Sequence, residues 1–284
     1  MRIHHLNCGT LRPLGRRRIN GTGAPFLPAR LVCHCLLLET DRGLVLVDTG
    51  FGLDDIAERR RSLVRSLGAA RVERRRHVFV RLGTRPRLDP AETAARQVEQ
   101  RGFARTDVTD VVLTHLDSDH AGGLRDFPHA RVHVTETELA AATSPASGLE
   151  RFRYWQHQWG HGPHWVAYGP GGDDWLGFEG ARELDGVPDV AFVPLAGHTR
   201  GHAGVALRQP GGGWLLHAGD AYFFHGQLDP AEPTVPPGIA RFEARFEADR
   251  EARLRNLERL RGVADEIELF CSHDPVELDR AVPA

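Results

Sequence analysis

Apolar and polar positions along the chain fall into blocks of strand or helix length, separated by Gly, Pro and Asp clusters. Residues 35–50, CLLLETDRGLVLVDTG, read as two buried strands around an Asp-Arg-Gly turn, with Asp48 closing the second. Asp89, Pro90 and Glu92 supply a cap, a first-turn proline and an acidic third position, and Gly102 supplies a stop, which predicts one helix between them. DVVLT (110–114) is a short buried strand, and the AGGL that follows closely is a helix start. RVHVT (131–135) and VAFVP (190–194) are further strands, and AGVALR and WLLHA pair through the PGGG turn. Phe242, Phe246, Leu254, Leu257 and Leu260 recur at helical spacing up to Gly262, and EIELFC (266–271) is the last strand.

Residues 143–185 break this regularity. FRYWQHQWGHGPHWVAYGPGGDDWLGF carries four of the five tryptophans and three histidines among glycines and prolines, so it reads as an aromatic-rich insertion. It serves either as a cap that walls a pocket or as a segment whose aromatics pack it onto the body. With no repeat and no linker in view, residues 1–284 read as a single domain.

Composition narrows the classes. The net charge of −2 is too balanced for a protein built around phosphate binding, so nucleic acid is not an expected partner. All 36 basic side chains are arginine, and eleven of them lie between Arg59 and Arg87; they form either a solvated helix face or a rim that attracts an anionic substrate. No run approaches the roughly 18 apolar residues of a membrane span, and the N-terminal segment lacks an apolar signal core, so no membrane and a cytoplasmic location are expected. A small-molecule substrate is the expected partner, and a homodimer is left open. Four cysteines are too few for a disulfide scaffold; Cys33 and Cys35 point to one strand face, as buried thiols or as a metal pair.

THLDSDHAGG (114–123) concentrates the chemistry, since His115, Asp117, Asp119 and His120 follow directly on a strand. In an extended segment, residues two apart point the same way, so His115 and Asp117 grip one object while Asp119 and His120 reach another. Imidazoles and carboxylates together are the usual donors to zinc, iron and manganese. One loop cannot complete two coordination spheres. AGHTRGH with His198, HAGDAYF with Asp220 and FCSHD with His273 each follow a predicted strand and supply further donors.

In these stretches, together with VLVDTG and in the same order, the chain resembles the metallo-β-lactamase superfamily over most of its length. The resemblance implies an α/β fold, a four-layer αββα sandwich with two divalent metal ions at one edge. Zinc is the first expectation, with iron or manganese as alternatives. By motif match, one site takes His115, His198 and residue 117, the other takes Asp119, His120 and His273, and Asp220 bridges them. Asp48 resembles the family's structural aspartate, and His202 resembles a histidine that supports the ligands.

The family motif has histidine where Asp117 stands. If Asp117 is a ligand, its carboxylate makes the centre less positive by one charge, which raises the pKa of bound water; carboxylate is also a harder ligand than imidazole, which favours iron and manganese. If it is not, the protein is mononuclear or inactive. The resemblance implies a binuclear metallohydrolase in which a metal-bridging hydroxide opens an ester, lactone or thioester. Tyr222, two residues beyond Asp220, is the candidate catalytic donor to the developing oxyanion, with simple packing as the rival role. A redox enzyme with one or two irons acting on oxygen or sulfur species, and a metal- or metabolite-binding protein without turnover, are the alternatives.

Overall fold

The structure, a computed structural model, describes residues 1–62 and 79–282. Most of the arginine-rich stretch therefore lies outside the described residues. Two six-stranded mixed sheets stack face to face. The first runs β1 (Arg2–Leu11), β2 (Leu31–Thr40), β3 (Gly43–Val47), β4 (Val108–Val112), β5 (Arg131–Thr135), β6 (His164–Tyr168) in spatial order. β1 to β3 form an antiparallel meander, and β3 to β6 are parallel neighbours. The second sheet holds β7 (Asp173–Trp175), β8 (Phe178–Leu184), β9 (Val187–Pro194), β10 (Ala203–Arg208), β11 (Trp214–His217) and β12 (Glu268–Phe270), antiparallel except for the parallel pair β11 and β12.

Three apolar layers follow from strand alternation. Leu36, Leu38, Val45, Val47 and Val112 face Phe192, Val205 and Leu207 between the sheets. The opposite faces of β2 to β5 pack Leu37, Leu46 and Val111 against the buried alanines of two helices, α3 (Ala94–Gln100) and α4 (Glu136–Thr143). These are the third and fourth helices described, after α1 (Arg16–Asn20) and α2 (Leu53–Ser62). Beyond them come α5 (Gly148–Arg153), α6 (Pro237–Phe246), α7 (Arg250–Val263) and α8 (Pro275–Ala281). Leu257, Leu260 and Val263 of α7 cover the outer face of the second sheet. The layers are helix, sheet, sheet, helix, the expected αββα order.

Local departures have local causes. The predicted helix at 89–102 is two pieces: Asp89 caps a turn at Pro90–Glu92, and Thr93 then caps α3 afresh. Glu92 does not complete a capping box; its carboxylate accepts from the backbone and hydroxyl of Thr10 on β1. The AGGL stretch forms no regular helix and leads into a single 3-10 turn at Leu124–Asp126. The row from Phe242 to Leu260 is likewise two helices, because the Asp249 carboxylate accepts from Ala252 N–H and restarts the chain as α7. That break rotates Leu254 outward, to 43% exposure, while Leu257 stays 3% exposed. Residues 143–185 are not an irregular insertion: they contribute β6 to one sheet and β7 and β8 to the other, and their glycines and prolines mark the turns between short strands.

Leu257→Ala is expected to cost about 2–5 kcal/mol, whereas Leu254→Ala should stay within about 0.5 kcal/mol. Urea midpoints of the two variants check this, and equal losses would contradict the helix break.

Candidate metal centre

Five loops meet at one edge of the sandwich, each leaving the C-terminal end of β3, β4, β9, β11 or β12. They carry Asp48, the segment 115–120, His198, Asp220 and His273 respectively. Asp48 adopts a positive φ of 56°, unusual for a residue with a side chain, and its carboxylate earns that strain by tying loops together. One oxygen accepts from Thr114 N–H at 2.9 Å, and the other accepts from the Thr114 hydroxyl and His120 Nδ1, each at 2.8 Å. Burial opposes its charge, yet His120 holds its pKa down to about 2.

The candidate ligands gather into two groups. Around the first, Asp117 Oδ2 lies 3.4 Å from His115 Nε2 and 3.1 Å from His198 Nε2, while Asp220 Oδ2 lies 3.8 and 3.4 Å from the same two nitrogens. Around the second, Asp220 Oδ1 lies 3.4 Å from His120 Nε2 and 3.3 Å from His273 Nε2. Donors bound at about 2.0–2.2 Å to a tetrahedral ion stand roughly 3.3–3.6 Å from one another, so both groups have the spacing of a coordination shell. Asp119 sits to one side, with Oδ2 at 3.8 Å from His273 Nε2, in a group that also includes Cys33.

The hydrogen bonding fits cations as well. His115, His120 and His273 each engage Nδ1 with a fixed partner, the Thr114 hydroxyl, Asp48 and the Val32 carbonyl. Donation through Nδ1 leaves Nε2 as a lone pair aimed at the centre. Nε2 of His115, Nε2 of His120 and Oδ1 of Asp220 are buried without hydrogen-bond partners, which is costly unless an ion takes them up. Burial opposes charge on His120, but Asp220 and Asp48 raise its pKa well above the imidazole range, so these carboxylates draw a positive charge to Nε2, either a proton or a cation in its place; burial would raise Asp220, but His273 and His120 hold it far down. His202 Nε2 accepts the Asp220 N–H at 2.8 Å while its Nδ1 donates to Leu195 O, so it fixes the loop that presents Asp220. Gly219 between them has a φ of 57°, and a Cβ there would strike the His202 ring.

Two residues at this edge escaped the sequence reading. Arg153, at the end of α5, is buried, and its Nη1 donates to Asp117 Oδ2 at 2.7 Å while Nη2 donates to Phe246 O. Burial would raise the Asp117 pKa, but Arg153 and His115 hold it well below the usual range. This guanidinium places a positive charge directly beside the extra carboxylate, a neighbour that the expectation of a less positive centre did not include. Glu138, fully buried on α4, accepts from Leu116 N–H, Thr199 Oγ1, Gly201 N–H and Tyr154 Oη, and so clamps the 115–117 and 198–201 loops together. In sequence it is indistinguishable from a surface helix glutamate.

Tyr222 is not brought to this centre. It is fully buried in the outer core of the second sheet, and its hydroxyl donates to Glu277 Oε1 at 2.9 Å. The sheet edge turns after Asp220, so a two-residue spacing no longer means the same side; Phe223 faces the centre instead and stacks on His273. His34 is stacked on Phe270, and Cys35 packs with Cys8 in the core, so neither is part of the two groups. A cavity of about 230 Å³ opens beside the ligands. Phe152 and Trp155 wall it together with Ile239, Phe242 and Phe246 of the α6 segment, with Asp117, Asp119, Arg153, His198 and His273 at its floor. The aromatic segment thus divides: Phe152 and Trp155 line the cavity, whereas Trp159 and Trp165 pack into the core.

A two-sheet αββα sandwich with paired donor shells at its loop edge defines a metal-binding α/β scaffold. A profile of the Metallo-beta-lactamase superfamily matches residues 28–273, and the chain belongs to that superfamily. It is 42% identical over 281 residues to a probable metallo-hydrolase of Mycobacterium tuberculosis, covering 97% of this chain and 81% of that one. An N-acyl homoserine lactonase of Agrobacterium fabrum is 29% identical over 67% of each chain. The fold is shared with a solved N-acyl homoserine lactone hydrolase holding N-hexanoyl-L-homoserine at its catalytic metal centre, at a TM-score of 0.68 and 20% identity over 98% of this chain and 95% of that one. A dizinc quorum-quenching lactonase superposes at 0.61 with 17% identity, over 96% and 87% of the two chains.

Glu277 also anchors the approach to His273, since its Oε2 accepts the Cys271 N–H. Burial raises its pKa from 4.5 to about 7. The folded protein therefore holds a proton that the unfolded chain has lost, and this contribution to stability is full below 4.5 and disappears as pH rises through 7. Between pH 5 and 8 the denaturation midpoint should fall further in the wild type than in Glu277→Gln; parallel profiles would contradict the assignment.

Proposed function

We propose that the protein hydrolyses an ester-type bond, an ester, lactone or thioester, with two divalent cations, zinc first among them. His115, Asp117, His198 and Asp220 hold one cation, and Asp119, His120, His273 and Asp220 hold the other. The observation that carries this is Asp220: its two oxygens each stand 3.3–3.8 Å from two imidazole Nε2 atoms of a different group, the placement of a bridging carboxylate. When bound, the pair supplies Lewis acidity toward a carbonyl oxygen and acidifies water at neutral pH.

The chain's own residues do the rest. Asp48, Thr114 and the Val32 carbonyl keep three imidazoles in the tautomer that binds cations. The wall of Phe152, Trp155, Phe242 and Phe246 excludes water and favours an apolar acyl group over a polar one. The lactonase relatives favour a lactone within this class. An iron-based redox enzyme, motivated by the hard oxygen donor of Asp117, is the second reading, and the metallo-hydrolase and lactonase relatives favour hydrolysis over it.

Chelated protein reloaded with zinc or manganese should turn over lactones or aryl esters bearing apolar acyl chains, and Asp220→Asn should lose about 10²-fold or more in kcat/KM. A fully loaded protein inert toward lactones, esters and thioesters would sink the proposal. Removing the partner of a ligating imidazole costs about 10–100-fold in metal affinity, so Asp48→Asn should weaken zinc binding by that factor in competition with a chromogenic chelator, with the fold retained.

A further inference from the structure

We infer that Asp117 and Arg153 act as one neutral ligand unit, Arg153 being a positioning residue that makes an aspartate serviceable where the superfamily motif has histidine. The inference rests on the metal-binding half of the proposed function and not on its substrate class.

Three observations carry it. The guanidinium is buried, with a side-chain exposure of 4%, and it donates to Asp117 Oδ2, the same oxygen that faces His115 and His198. The opposite oxygen, Oδ1, is buried without a hydrogen-bond partner, so the pair as it stands leaves donor capacity unused. Arg153 is itself fixed from behind, because its Nη2 donates to Phe246 O at the end of α6 and the chain at Tyr154 forms a β-bridge with Asp117. A buried arginine beside two dications is tolerable only with a carboxylate between them, and a carboxylate sharing its charge with an arginine donates to a metal as a neutral ligand. Each residue therefore makes the other acceptable, and neither is exchangeable alone.

The reciprocal exchange tests this. Metal-free protein is titrated with cobalt(II), the bound ions per chain are counted by elemental analysis, and the visible cobalt spectrum is recorded for each variant. Wild type is expected to take two ions. Asp117→His, which restores the family's residue but strands the guanidinium, should bind the second ion at least tenfold more weakly. Adding Arg153→Met to it should bring the second ion back to within about threefold of wild type and restore the two-ion spectrum. Adding Arg153→Lys instead keeps the cation and should leave the defect in place. A merely structural arginine would not separate the methionine from the lysine variant.

The inference is overturned if Asp117→His alone binds two ions with wild-type affinity, if the methionine and lysine doubles behave alike, or if wild type takes only one ion. Circular dichroism confirms that each variant is folded, and Arg153→Leu, which likewise removes the cation, replaces Arg153→Met where that variant is not. Hydrolysis plays no part in the readout. A protein that loads two ions yet turns over no ester would therefore sink the proposed function while leaving the ligand unit supported.

Discussion

Asp220 lies buried with its two oxygens turned toward different pairs of imidazoles, and an anion so placed is stable only when cations or donated hydrogens surround it. The backbone of this edge is arranged around that requirement. Its N–H is held by His202, the glycine before it makes room for that ring, and the flanking strands β11 and β12 are parallel, so their C-terminal ends deliver Asp220 and His273 side by side. Asp48 repeats the same solution from the other sheet, accepting three donors while it orients His120. Glu138 joins the 115–117 and 198–201 loops in the same currency of buried carboxylate and donated hydrogen. The edge is thus a set of buried anions, each positioned by several donors, and the remaining unsatisfied atoms are those that point inward.

How much of this was legible in the sequence depends on the range of the interaction involved. Strands such as 36–38 and 45–47 are readable because burial on both faces imposes a continuous apolar run, which is a local signal. The donor clusters were readable because histidine and aspartate are concentrated just past strand ends. Arg153 and Glu138 were not, since their partners lie 36 and 22 positions away, and a lone arginine or glutamate on a short helix carries no mark of burial. Tyr222 shows the converse error. Its spacing from Asp220 presumed a continuing strand, whereas β11 ends at His217 and the following turns send the phenol into the outer core. The break between α6 and α7 escaped for a similar reason, because the apolar rows on either side of Asp249 happen to stay in phase.

The cavity wall and the ligand shell are mechanically one assembly. α5 ends in Arg153, which holds Asp117, and Phe152 and Trp155 on either side of that arginine line the cavity. Phe246 offers its carbonyl to Arg153 and its ring to the same cavity, stacked near Phe152 and Phe242. A shift of α5 or α6 that enlarges the pocket therefore also moves the group that shares Asp117's charge. Cavity width and the charge environment of Asp117 are coupled through a single side chain, Arg153.

In the proposed ligand unit, Asp117 and Arg153 each depend on the other. An aspartate introduced alone would leave an extra buried negative charge, and an arginine introduced alone would leave an unpaired cation against two dications; either intermediate is penalised by several kcal/mol for an uncompensated buried charge. Only the combination preserves the local charge balance. It also fixes geometry, because the guanidinium is anchored on two sides, to Asp117 and to Phe246. The aspartate is then held in place by a residue that also forms part of the pocket floor.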